Sequence, residues 1–377
     1  MFELMDEWGP EKVVCVSDRR TGMQGVLVID NTARGMGKGG TRMAPDVTVQ
    51  EVARLARTMT WKWAALNLFF GGAQAGIRYD PASASKPDAL RAFARALSNE
   101  VPAEYVFGLD MGLTEQDAAI LLDETRTRSA AVGTPEALGG LAYDRLGVTG
   151  FGVAEAADAA AEALGITLRD ARVVVQGFGA VGAHAARRLA DLGATVVAVS
   201  SARGVLHEPD GLDVDRLLRL RDEHGDDCVL AYGTSVGALG SELLLPCEVL
   251  IPAATQDVID ADVAGRISAR LVVEGANMPT DAAAQEVLRA RGVAVVPDFI
   301  ANGGGAVAAG FAMDARHSPF PVQPEPVFEA VSRSIRANTA EILGRTLAGT
   351  RTSHAVAREL AQERVRQATK LRTGLLV

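Results

Sequence analysis

Between Thr48 and Leu66 the apolar residues Val49, Val52, Leu55, Ala56, Met59, Trp63 and Leu66 return at three- and four-residue spacing, the period of a helix with one face toward a core. Pro45 and Asp46 mark its start. Earlier in the chain, Lys12 to Val16 and Gly25 to Ile29 are short branched apolar runs on either side of a Ser17 to Gly22 turn, which predicts a hairpin. Ser85 to Val101 reads as a second amphipathic helix. Tyr105 to Gly112 reads as a short apolar strand with Asp110 at its end. The pattern changes in the middle: glycines at 133, 139, 140, 147, 150 and 152 lead into an Ala-rich helix running to about Leu164, which places a domain boundary in the 130s to 140s.

Beyond the boundary, Arg172 to Gln176 is a β-branched strand that runs into Gly177-Phe178-Gly179-Ala180-Val181-Gly182, then a helix to Leu192 and a strand from Thr195 to Val199. Glycines of that spacing between strand and helix, within one unit of about 30 residues, predict a dinucleotide-binding fold of the Rossmann type. The free N–H groups of the helix N-terminus would receive the pyrophosphate. No acid follows the second strand. Ser200, Ser201 and Arg203 stand where a ribose-binding carboxylate is expected, which fits a 2′-phosphate, although Arg203 reads equally as a solvated turn residue. Apolar strands at Val249 to Pro252, Leu271 to Val273 and Val293 to Val296 end in Ala253-Ala254, Glu274 to Asn277 and Pro297-Asp298. In an open parallel sheet such tails line the ligand cleft. Asn302 to Gly305 is a glycine turn into a helix, and Pro326 to about Thr369 is helical.

The segment Lys62 to Asp80 reads as an apolar approach to a glycine-rich turn with Gln74 at its tip and Phe69 and Phe70 burying its base. Gly71, Gly72 and Gly76 would let backbone approach a ligand. Lys62 falls on the apolar side of its helix, where it either meets an anionic partner or extends its stem to water. Gly35 to Met43 interleaves four glycines with Lys38 and Arg42, and by itself is no more than a flexible charged loop. Asp110, beside Gly112, suits general-base work or the capping of a helix beginning near Thr114.

Composition narrows the class. The chain has 377 residues, 48% hydrophobic and 5% aromatic, an α/β type of composition long enough for two domains. A formal net charge of −9 argues against general nucleic-acid binding. Cys15, Cys228 and Cys247 are far apart and in no CxxC pair, which predicts reduced structural thiols and no metal site. With no secretory pattern at the start and no apolar stretch of spanning length, the expectation is a soluble cytoplasmic protein without a membrane partner.

Several of these segments resemble one family. FELMDEWGPEKVV, GMGKGGTRM, MTWK, the glycine motif after Arg172, EGANMPT and the glycine turn after Asp298 are similar, in this order, to the glutamate, leucine, phenylalanine and valine dehydrogenases, the first two most to the leucine branch. The resemblance spans essentially the whole chain. It implies an N-terminal α/β substrate and oligomerisation domain over 1–140 and a Rossmann NAD(P)-binding domain over 141–315, with the cleft between them. Helices over 316–377 would pack back across both. It also implies a homo-oligomer and the reversible oxidative deamination of an amino acid to a 2-oxo acid with NAD or NADP. By the same resemblance Lys62 matches the α-carboxylate clamp, Lys38 and Ala309 match side-chain-pocket positions, and Asp110 matches the catalytic acid. Thr149, Gly177, Gly179, Ala180, Val181, Gly182, Ser201, Arg203, Ala253, Ala254 and Asn277 match cofactor positions, and Asn302 lies near nicotinamide and substrate. Lys38 argues for an acidic substrate side chain, and Ala309, in place of a serine, against one.

Gln74 departs from the pattern, because the family carries there a lysine that polarises the substrate carbonyl or imine. A neutral amide in its place loses a charge-assisted bond, and removal of one oxyanion donor costs about 2.7 to 4 kcal/mol, or roughly 100- to 1000-fold in rate. Two readings follow: an amino-acid dehydrogenase with an altered site acting on an amino acid, oxo acid or related imine, or a catalytically silent ligand-sensing subunit that shares a hetero-oligomer with an active paralogue.

Overall fold

The computed structural model describes residues 2–233 and 236–373. The chain divides into two compact units, one made of Met1–Ala142, Ala309–Gln323 and Leu360–Val377, the other of Tyr143–Ala308 and Pro324–Glu359. The C-terminal segment therefore contributes to both units.

In the first unit, β1 (Lys12–Asp18) and β2 (Met23–Asn31) form the expected antiparallel hairpin. Among the described residues the sheet runs β1-β2-β5-β3-β6, with β4 also pairing β5; β3 is Gly37–Lys38, β4 Thr41–Ala44, β5 Gly71–Arg78 and β6 Tyr105–Val106. The Gly35 to Met43 segment is thus not a loop: two short strands carry Lys38 and Arg42. Helix Val49–Ala65, capped by the Thr48 side chain, covers one face of the sheet. Helices Lys86–Ala96 and Glu115–Thr125 cover the other, over a core that includes Phe93, Phe107, Ala73, Ala75 and Ile77.

Three expectations fail here. Gln74 is not at the tip of a turn but in the middle of β5, paired in register with Val28. The glycines beside it serve helix packing: a Cβ on Gly72 would lie 2.0 Å from Thr60 Oγ1, and one on Gly76 2.5 Å from Val52 Cγ2. The close approach of helix to strand requires them. Phe69 buries nothing at the base of a turn. It is 74% exposed, under the guanidinium of Arg34, while Phe70 packs edge-on against Trp63. Asp110 is not a helix cap either, because Thr114 and Asp117 form the capping box of helix Glu115–Thr125.

The second unit holds a sheet in the order β10-β9-β8-β7-β11-β12-β13. Its parallel strands are β7 (Arg172–Gln176), β8 (Thr195–Ser201), β11 (Val249–Pro252), β12 (Leu271–Val273) and β13 (Ala294–Val296). Antiparallel β9 (Gly204–His207) and β10 (Val236–Gly237), absent from the sequence reading, extend one edge. Helix Val148–Ala163 packs against helix Pro324–Leu347, tied by Arg336 to Asp158 and Glu155 and by Ser332 to Glu155. The helical stretch expected over 326–369 consists of two helices, Pro324–Leu347 and Ser353–Thr373.

Candidate functional site

Three glycines let the first unit bring its polar side chains together. A Cβ on Gly39 would lie 1.7 Å from the Ala73 carbonyl oxygen, one on Gly40 2.7 Å from Asp110 Cβ, and one on Gly108 2.6 Å from Lys38 Nζ. On this floor Gln74 Oε1 accepts from Gly40 N at 2.8 Å, and Gln74 Nε2 donates to Asp110 Oδ2 at 2.7 Å. Arg42 Nε donates to the same carboxylate oxygen at 3.1 Å, and Met111 N donates to Oδ1 at 2.7 Å. Arg42 in turn pairs with Glu51 at 2.7 Å. Asp110 is therefore a fixed anion held by a guanidinium, an amide and a backbone N–H. Gln74 commits its carbonyl and one of its two amide hydrogens to the protein, and the second hydrogen is the donor it has left to offer.

Lys38, beside this floor, is buried. Its ammonium donates to the Gly39 carbonyl at 3.0 Å, and its own carbonyl accepts from Trp63 Nε1 at 2.8 Å. Burial, then the positive charge of Arg316, pulls its pKa down to about 7. Arg316, which the sequence reading missed, is held in place by the carbonyls of Ser129 and Met313. Lys62 is half-buried in the last turn of its helix, next to the Trp63 that pins Lys38. Ala309, half-buried in helix Gly304–Ala315, offers no polar side-chain atom.

In the second unit the glycine motif stands where strand meets helix. Gly177 has φ +85° and abuts Ala254, whose Cα would lie 2.7 Å from an added Cβ. A Cβ on Gly182 would lie 1.8 Å from the Gly177 oxygen, whereas one on Gly179 would meet nothing within 4 Å. Gly179 is the N-cap of helix Ala180–Asp191 and makes no side-chain cap bond, so the N–H groups of the Ala180-Val181-Gly182 turn remain available to an anion. This cradle fits a dinucleotide pyrophosphate. Ala253 and Val181 meet at Gly275, and Asn302 Nδ2 donates to Asn277 Oδ1 at 2.8 Å, which places these residues with the strand ends. Thr149 stands in the first turn of helix Val148–Ala163, against Gly305.

Past β8 the hydroxyls are already engaged. Ser200 Oγ accepts from Gly177 N at 2.9 Å, Ser201 Oγ donates to the Asp226 carbonyl at 2.7 Å, and Arg203 Nε donates to Asp227 Oδ1 at 2.6 Å. A second cluster escaped the sequence reading. Glu274, Asp298 and His354 are the one group of metal-capable side chains found together among the described residues. His354 Nε2 lies 2.8 Å from Glu274 Oε2, which also accepts from Asp298 N at 2.9 Å. Burial lowers the His354 pKa, but the charge of Glu274 and its hydrogen bond outweigh this, leaving it raised. Eighty residues separate the pair, and no local pattern signals such a contact. The three cysteines are free thiols; Cys247 is pushed up to about 12 by burial.

Residues 10–127 match the family model described as Glu/Leu/Phe/Val dehydrogenase, dimerisation domain, and residues 139–373 match the model Glutamate/Leucine/Phenylalanine/Valine dehydrogenase. The chain is 42% identical over 293 residues to the glutamate dehydrogenase of Thermotoga maritima, covering 74% of this chain and 70% of the relative. It is 36% identical over 316 residues to the NADP-specific glutamate dehydrogenase of Saccharolobus shibatae, covering 79% and 74%. Relatives named NAD-specific also match. Among solved structures, the hetero-hexameric glutamate dehydrogenase of Thermus thermophilus in its Leu-bound form superposes with a TM-score of 0.81 at 33% identity, over 96% of this chain and 90% of that one. Together with the α/β fold and the two sets of clustered residues, these matches place the chain in the glutamate, leucine, phenylalanine and valine dehydrogenase family.

Proposed function

We propose that this chain interconverts an amino acid and its 2-oxo acid with NAD or NADP, through a polarising group that is neutral rather than charged. The observation that carries the proposal is the 2.7 Å hydrogen bond between Gln74 and Asp110. The acid has stayed in place, and the residue at the lysine position touches it.

The nicotinamide, when bound, supplies the hydride acceptor or donor. The Ala180 to Gly182 turn binds the pyrophosphate. Lys62 holds the substrate α-carboxylate, and Asp110 takes and returns the proton at nitrogen or water. Gln74 directs its remaining N–H at the carbonyl or imine. Among the described residues no carboxylate pairs with the buried Lys38, so it favours a substrate with an anionic side chain, whose charge would hold the amine protonated. Ala309 belongs to the substrate side of the first unit, and Asn302 to the cofactor side of the second. A homo-oligomer built through the N-terminal unit is the expected assembly, given the dimerisation-domain match.

Gln74→Lys is the decisive variant. With an acidic amino acid and NAD or NADP, turnover should rise roughly 100- to 1000-fold over the native protein. Native protein inert toward a broad panel of amino and oxo acids, together with an inert Gln74→Lys that still binds NADH, would defeat the proposal. A second reading would then stand: a silent ligand-sensing subunit assembled with an active paralogue. It is favoured by the neutral side chain of Gln74 and by the hold of Arg42 on Asp110, which occupies Oδ2 of that carboxylate.

A further inference from the structure

Ser200, Ser201 and Arg203 suggest by sequence a pocket for a 2′-phosphate, and the structure gives each of them another occupation. Ser200 holds the Gly177 N–H, and the buried Ser201 hydroxyl anchors the Asp226 carbonyl. That anchor brings the turn Gly225–Asp227, which lies 25 residues further along, to the end of β8. Asp227 there puts its carboxylate 2.6 Å from Arg203 Nε. The acid missing from the end of the second strand is thus supplied from a distant part of the chain.

The Asp227 carboxylate now accompanies the Arg203 guanidinium at this lip. An incoming 2′-phosphate must compete with Asp227 for Arg203 and bear its repulsion, whereas a 2′-hydroxyl needs only an acceptor. The side chains of Arg203 and Asp227 are 57% and 52% exposed, so the pair is weak and its carboxylate is open to a ligand. The effect should be a preference and not an absolute exclusion. We infer that Asp227 is the coenzyme-selecting residue of this chain, occupying Arg203 and favouring NAD(H) over NADP(H). The inference rests on the dinucleotide role proposed above.

The test is fluorescence titration of the full-length protein with NADH and with NADPH, for the native chain, Asp227→Asn and Asp227→Asn with Arg203→Ala. Native protein should bind NADH about five- to tenfold more tightly than NADPH. Asp227→Asn should bring the two within about twofold by tightening NADPH, with NADH little changed, and adding Arg203→Ala should reverse that gain. A native preference for NADPH, or an unchanged ratio in Asp227→Asn, would overturn the inference while leaving the dinucleotide role intact. Failure of the native chain to bind either nucleotide would overturn both.

Discussion

Lys38 in the first unit and His354 in the second are both basic side chains taken out of water, and their surroundings push them in opposite directions. Lys38 has a carbonyl and a nearby guanidinium for company, so burial wins and its pKa falls to about 7. His354 faces desolvation too, but Glu274 at 2.8 Å, with Asp298 behind it, more than offsets that and holds the imidazole up. Glu274 and His354 answer each other's charge within the second unit. Lys38 has no carboxylate against it among the described residues.

Breaking the Glu274–His354 pair should have the largest effect. Glu274→Ala leaves His354 and the Asp298 N–H without their acceptor, and should cost about 3–5 kcal/mol in denaturant unfolding. Lys38→Met should act with the opposite sign, stabilising the protein at pH 6 by roughly 2–4 kcal/mol, because it removes a buried charge.

The pH dependences are opposed as well. The folded pKa of Lys38 lies below its unfolded value of 10.5, so the unfolded chain binds more protons between about 7 and 10.5 and stability from this group rises with pH across that window. The folded pKa of His354 lies above 6.5, so its contribution is full below that value and is lost as pH rises through the folded pKa. Lys38→Met should flatten the alkaline rise in a melting-temperature series. A finer test is calorimetry with a dicarboxylic oxo acid, whose binding should weaken by up to about tenfold per pH unit above 7, while a monocarboxylic analogue shows no such trend. The smallest effect belongs to the exposed pair: Arg203→Ala should move stability by no more than about 0.5 kcal/mol.

The second sheet was legible because its strands are branched apolar runs whose glycine motif is local in sequence; β11 and β12 fall on the expected residues. The placement of Gln74 was not. A segment of Gly and Ala has little strand propensity of its own, and only the helix lying against Gly72 and Gly76 explains why a strand is so composed. Lys38, Lys62 and Asp110 could be picked out as unusual residues, but the hold of Arg42 on Asp110 joins positions 68 residues apart. Arg316 near Lys38, Glu274 with His354 and Asp227 with Arg203 are contacts of the same long-range kind. Charges that meet only after folding leave no spacing to read.

The division of the chain has its own consequence for synthesis. The polypeptide passes between the units after Ala142, Ala308, Gln323 and Glu359, so neither unit is continuous. Arg364, which donates to the carbonyls of Ala64 and Ala65 at the end of helix Val49–Ala65, follows the first of them by 300 residues. The first unit therefore emerges first and is finished last. Until those later segments have been made, its helix end and the Val106, Val132, Ala312 and Met313 cluster lack partners, which makes the nascent first unit the natural client for a chaperone.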